Sequence, residues 1–214
     1  MIQKFLTLIG EKYPLTSVDA GEFKTLKASG MKFDISAYDA KGLGRVSVMQ
    51  AKGFFGLMKM FTLIVTPTDI DLPLYSYDRI FAFGNDVLIS EVYDTCAAGE
   101  FSQEALKAVT DAYAGKFERD PGQHWYDSIK FETSISKKAK KRFTKELDEL
   151  AEKHFKAYLE TPSALVEGET ALKKAEKTAY YVNGLLDKGG PSTDAFVKSL
   201  GREKTETLFK KILF

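Results

Sequence analysis

From residue 31 to residue 94 the chain is a succession of short runs rich in β-branched and aromatic residues, broken by segments too short to hold a helix. The runs are 31–40, 43–51, 57–66, 79–83 and 87–93, and glycine-bearing breaks at 42–44, 52–56 and 84–86 separate them. Their alternating or clustered apolar residues carry the period of strands. Parallel neighbours need a crossover of a dozen or more residues, so these strands pair antiparallel, as a meander.

After Thr95 the apolar spacing changes to that of helices, over 101–117, 136–159, 163–187 and 192–213. Ser102 with Glu104, Ser136, Ser163 and Ser192 stand where helix N-termini are expected, and Gly168 weakens one helix without ending it. The segment 124–133, with Trp125, Ile129 and Phe131 alternating, adds a sixth strand. Strands first and helices after give an α+β protein: a three-layer α/β/α sandwich whose central antiparallel sheet is flanked by helices. With 44% hydrophobic residues, 214 residues bury one core, so residues 1–214 form a single domain. Residues 1–10 are apolar but short, lack a basic flank and run into Glu11 and Lys12, unlike a signal peptide or a membrane span.

Charge and cysteine content close off several functions. Thirty-one basic and 30 acidic residues leave a net charge of +1, so no global field draws the chain to nucleic acid or to a membrane. A charged partner has to meet a local patch, and Lys137, Lys138, Lys140, Lys141 and Arg142 are the concentrated one, read here as the first turn of a long helix. A single cysteine, Cys96, excludes an internal disulfide framework, a cysteine-rich zinc site and a self-contained iron–sulfur cluster, and fits a reducing cytoplasm. Dinucleotide, P-loop, nucleophile-elbow and zincin motifs are all missing, and no metal site is expected.

The carboxylate with the most chemical promise is Asp78, at the end of the run LPLYSYD over 72–78, where the sheet is expected to turn. An Asp there either works on a ligand or bonds to turn amides. Asp94 reads as a turn or helix cap. His154 lies on the stripe Phe143, Leu147, Leu150, His154, Tyr158 and belongs to a helix core, whereas His124 is either a proton carrier at a pocket or solvated. Phe54, Phe55, Phe61, Tyr75, Tyr77, Phe81 and Phe83 concentrate on the strands, as pocket lining for a flat ligand or as ordinary core. Arg45, Lys52, Lys59 and Arg79 are available there for acidic groups.

Taken together, the strands and links of 45–94, a Trp-led segment at 125–133 and the closing stretch FVKSLGREKTETLFKKILF at 196–214 resemble the ferredoxin-dependent bilin reductases, relatives of the red chlorophyll catabolite reductases. The resemblance covers about residues 31–214 as scattered short motifs. It implies a linear tetrapyrrole held between the sheet and the C-terminal helices, one-electron deliveries from ferredoxin, and no bound metal, flavin or nicotinamide. Asp78 matches the family's central Asp and takes the role of proton donor. Phe61, Tyr75, Tyr77, Arg45, Lys52 and Arg79 are then candidate substrate contacts, with Asp187 and Asp194 flanking the loop before the last helix. The basic cluster at 137–142 is the docking patch for an acidic ferredoxin. Near Phe61 some members have a His, at Met49 a Glu, and at 188–191 an Asp or Asn; this chain has none of them. A protein that holds a tetrapyrrole or another flat hydrophobic acid without reducing it is the alternative.

Overall fold

The computed structural model describes residues 1–98, 101–190 and 192–214. An eight-stranded antiparallel sheet forms its middle layer. The strands are β1 (Leu15–Val18), β2 (Thr25–Ala28), β3 (Met31–Ala40), β4 (Gly44–Gly53), β5 (Met58–Pro67), β6 (Leu74–Ala82), β7 (Asn85–Tyr93) and β8 (Ile135–Lys140). Strands β3 to β8 lie in chain order, while β1 and β2 sit end to end along the outer edge of β3. The meander expected from the short breaks is therefore present, and it extends by three strands beyond the sequence reading.

Helices cover both faces. On one side α1 (Ile2–Lys12), α2 (Glu104–Ala112) and α3 (Thr144–Glu160) bury Phe5, Ile9, Leu106, Leu147 and Phe155 against Val46, Leu63, Tyr75, Tyr77 and Leu88. On the other, α4 (Gly168–Lys188), α5 (Thr193–Leu200) and α6 (Arg202–Leu208) bury Tyr181, Leu185, Phe196 and Leu208 against Ile35, Met49, Ile64 and Leu74. Among the described residues no helix is long and apolar enough to cross a membrane.

Several elements differ from the sequence reading, each for a physical reason. Strand β6 begins at Leu74, not Arg79, so Asp78 stands in mid-strand rather than at a turn. Ser76 and Asp78 look like turn residues, yet they alternate with Tyr75 and Tyr77 on a strand that starts just after Pro73. Residues 136–140 are strand, not helix: Ile135, Lys137 and Ala139 point inward while the open edge of β7 takes up their backbone groups. The helix that follows starts at Thr144. In place of a sixth strand at 124–133 there is a 3₁₀ turn over Trp125–Ile129. Gly168 opens α4, and Gly201, in the left-handed region at φ 83°, splits the expected last helix in two. The apolar N-terminus is an amphipathic helix.

Buried polar groups are tied across the layers. His154 is fully buried; its Nε2 donates to the Thr133 carbonyl at 2.9 Å and its Nδ1 accepts from the Tyr75 hydroxyl at 3.0 Å. Burial holds its pKa down at about 4, so the ring is neutral at physiological pH. Arg79 is 1% exposed and pairs with the equally buried Asp86, Nε to Oδ1 2.5 Å and Nη2 to Oδ2 2.8 Å, while the Thr144 hydroxyl also donates to Asp86 at 2.6 Å. Asp148 also lies 3.4 Å from Arg79, so removing Asp86 leaves the buried guanidinium with one half-exposed counter-charge in place of its buried one. Asp86→Ala should lower unfolding free energy by about 3–5 kcal/mol, measured by urea denaturation; a loss within the range of surface substitutions would show that the pair is solvated.

Candidate functional site

A pleated strand sends successive side chains to opposite faces. Along β6, Tyr75, Tyr77 and Arg79 face α1 and α3, and Leu74, Ser76 and Asp78 face α4 to α6. The register places Thr62 of β5 and Ile89 of β7 on either side of Asp78, with Met49 of β4 beyond Thr62. The Thr62 hydroxyl donates to Asp78 Oδ1. Glu91 of β7, paired with Ser76, enters the same space.

That space is a cavity of about 80 Å³ between sheet and helices, walled by Thr62, Asp78, Glu91, Tyr93, Tyr126, Tyr181 and Phe214. A second hollow of about 100 Å³ shares Asp78, Glu91, Tyr126 and Ser192 and opens toward His124 and Arg119. Phe214 also walls a neighbouring groove of about 400 Å³, which carries Thr66, Lys174, Thr178, Val182 and Lys210. The aromatic wall is tightly nested. Tyr93 lies 4.3 Å from Tyr181 and 5.6 Å, edge-on, from Tyr126, and His124 stacks on Tyr126 at 4.8 Å. Trp125 anchors this wall on α4 by donating to the Gly189 carbonyl at 2.9 Å. Gly184 makes room for its ring: a Cβ there would fall 2.1 Å from the indole.

The electrostatics shift Asp78 toward its neutral form. Burial raises its pKa from 3.8 to about 6, the Thr62 hydrogen bond pulls the other way, and the Glu91 charge adds to the rise. Glu91 accepts from the Tyr93 hydroxyl at 2.6 Å and lies 3.4 Å from the Lys130 ammonium, so its own charge is partnered. Such a site pairs an acid poised near working pH with a fixed neighbouring charge.

Of the catalytic and substrate-contact candidates from sequence, Asp78 is in the cavity, and His124 lines the adjoining hollow. Phe61, Tyr75, Tyr77 and Arg79 lie on the opposite face of the sheet, with Phe61, Tyr77, Arg79 and Phe81 around a separate hollow of about 350 Å³. Thr62, not Phe61, is the β5 neighbour of Asp78, because the pleat turns Phe61 away. Lys52 and Lys59 face the same way as Phe61's side of the sheet and are solvated. Arg45 shares Asp78's face but is bonded to Asp39 and to the Lys211 carbonyl, both at 3.0 Å, which pins the end of the chain to β4. Asp187 pairs with Arg202 at the surface, and Asp194 is exposed beside Gly189; neither lines the cavity. Phe54, Phe55 and Phe83 are at hairpin tips, far from a pocket role. Asp94 accepts from the Cys96 amide at 3.1 Å and pairs with Lys177. Sequence reasoning missed Glu91, Tyr93, Tyr126 and Tyr181. A lone charged residue on an otherwise apolar strand face, as Glu91 is after Val87 and Ile89, is the available signal.

The basic cluster is also rearranged. Lys137 is buried, donating to Glu118 at 2.5 Å and to the Tyr113 carbonyl at 3.2 Å, and it does not face solvent. Lys138, Lys140, Lys141 and Arg142 remain exposed at the end of β8 and in the turn after it. Among the described residues no group of three His, Cys, Asp or Glu side chains is placed to hold a metal ion.

Protonation of Asp78 has a thermodynamic sign. Below pH 3.8 the folded and unfolded chains are both protonated there; from about pH 4 to 6 only the folded chain keeps the proton, so stability falls as pH rises. Above pH 6 the full penalty, about 3 kcal/mol, applies. Asp78→Asn should match the parent at pH 4 and exceed its stability at pH 8 by about 2 kcal/mol in urea titrations. Equal pH dependence in both proteins would mean that Asp78 ionises freely.

Comparison with known proteins gives one kind of match. No family model matches the sequence. No curated protein matches it either. Among solved structures, selenomethionine phytochromobilin synthase from tomato in complex with biliverdin superposes with a TM-score of 0.77 at 10% identity, over 98% of this chain and 80% of that one. At that identity the likeness is one of fold. The chain thus shares the α+β sandwich fold of that synthase, the architecture that the order of its strands and helices implied.

Proposed function

We propose that this protein reduces a linear tetrapyrrole of the biliverdin type, with electrons from ferredoxin and with Asp78 as proton donor. The observation that carries the proposal is one buried carboxylic acid, with a pKa of about 6, in a cavity between the sheet and its C-terminal helices. The fold neighbour's complex with biliverdin supports the choice of ligand. Reduction of one double bond takes two electrons and two protons. Ferredoxin supplies the electrons singly, and the ligand, as a radical between deliveries, takes a proton from Asp78. Burial and, to a lesser degree, the Glu91 charge raise the proton affinity of Asp78, and the hollow toward His124 gives solvent a route to return the proton, so that Asp78 can deliver each of the two protons in turn.

The cavity beside Asp78 is smaller than the few hundred Å³ that a ligand of this size fills. Displacing Phe214 would join it to the 400 Å³ groove along α4, so binding involves movement of that ring. Lys210 at the groove and the threonines of its wall suit the acidic arms of a bilin. Ferredoxin would dock at Lys138, Lys140, Lys141 and Arg142, where a basic surface speeds encounter with an acidic protein.

A binding-only role is the second reading, favoured by one feature: the neighbours of Asp78 in its cross-strand row, Thr62 and Met49, do not titrate. An anaerobic assay with biliverdin and reduced ferredoxin separates the two. Wild-type protein should bleach and shift the pigment through a transient radical, and Asp78→Asn should slow turnover by about a hundredfold or more while binding persists. Undiminished turnover in Asp78→Asn would remove the proton-donor role; pigment binding without turnover in the wild type would leave the binding-only reading standing.

A further inference from the structure

One end of the sheet gathers exposed positive charge and exposed aromatic rings. The register sets Lys27 opposite Lys32, Lys32 opposite Lys52, and Lys52 opposite Lys59, so four lysines form a row across β2 to β5. Directly opposed residues share a face, and here that face is the one turned toward α1 and α3, beyond the reach of both helices, so all four side chains are exposed. Like charges in opposed positions oppose pairing. Asp34 pairs with Lys32 at 3.3 Å and acts on Lys52 from farther off; among the described residues Lys27, Lys52 and Lys59 have no carboxylate at ion-pair distance. Asp86, the other acid near this end, is buried and committed to Arg79.

The hairpin tips just beyond the row are aromatic. Phe54, Phe55 and Leu57 close the β4–β5 hairpin and Phe83 closes the β6–β7 hairpin, and their exposures are 52%, 109%, 60% and 70%. The two tips are adjacent, because Met58 pairs with Ala82. Phe54, Phe55 and Phe83 have φ of 51°, 54° and 48°, the left-handed region that Gly or Asn occupies with less strain. Two locally unfavourable choices, opposed lysines and strained solvent-facing phenylalanines, thus meet at one place, and neither contributes to the core.

From this arrangement we infer that the end of the sheet docks onto an anionic phospholipid surface. Lys52 precedes Phe54 by two residues and Lys59 follows Leu57 by two, so the charges stand back from the tips by roughly 7 Å. That offset puts rings at the headgroup–acyl boundary while the ammonium groups lie level with the phosphates. A protein partner would be met by a flatter apolar core with charges around it; here the rings project past the charges. The net charge of +1 conceals the patch because acids elsewhere balance it. The inference is independent of the redox reading.

The test is sedimentation with vesicles of equimolar phosphatidylcholine and phosphatidylserine, against phosphatidylcholine alone. The protein should pellet with the anionic vesicles at low ionic strength and be released by about 0.5 M salt. Lys32→Gln, Lys52→Gln and Lys59→Gln together should weaken partition about a hundredfold, at roughly fivefold per lysine. Phe55→Ser with Phe83→Ser should weaken it at least about tenfold without lowering the melting temperature. Phe55→Trp should show a blue-shifted emission when vesicles are added. Failure to pellet, equal partition to neutral vesicles, or an unshifted tryptophan would overturn the inference. So would retention on immobilised ferredoxin, lost with the three lysines, in a protein that ignores vesicles.

Discussion

The pleat of β6 decides what every nearby side chain can do. Because neighbours in a strand point to opposite faces, Asp78 and Arg79 are adjacent in sequence yet belong to different layers. Arg79 goes into a buried ion pair with Asp86, beneath α3. Asp78 goes into the cavity beneath α4 and the closing turn over 209–214, where burial and Glu91 raise its proton affinity. A slip of one residue in register would exchange these environments, placing a guanidinium in the cavity and a carboxylate in the apolar core.

That register is secured from outside the strand. Just ahead of β6 the Tyr158 hydroxyl of α3 donates to the Pro73 carbonyl at 2.9 Å, and the buried Lys174 of α4 donates to the Leu72 carbonyl at 2.5 Å. Both helix layers therefore grip the same short segment. Asp71 caps the chain alongside it by accepting from the Ala97 and Ala98 amides at 2.7 and 2.9 Å. Backbone groups that would otherwise be buried without partners are satisfied, and the strand cannot shift without breaking bonds on two faces.

Charge is sorted in the same way. Buried ions sit beside committed partners, as Arg79, Lys137 and Lys174 do. Exposed lysines and aromatic rings collect at the end of the sheet, where hairpin tips leave the core. A chain with a net charge near zero can still present a strongly basic region, because charge balance is a property of composition and a patch is a property of register.

The sequence by itself determined the meander, the two-sided helical cover and the buried role of His154, since these follow from local period, break length and residue type. Strand ends were less legible. Ser76 and Asp78 read as turn residues, and residues 136–140 read as helix, because polar residues on a cavity-facing or edge strand carry weak strand signals. Only the tertiary structure decided the partners of Asp78. Glu91 and Tyr181 are 13 and 103 positions away in the chain, and Phe61 lost its place to Thr62 by the parity of one residue. Periodicity is written in neighbouring residues; which strand lies beside which, in what register, and under which helix is fixed by packing between distant segments.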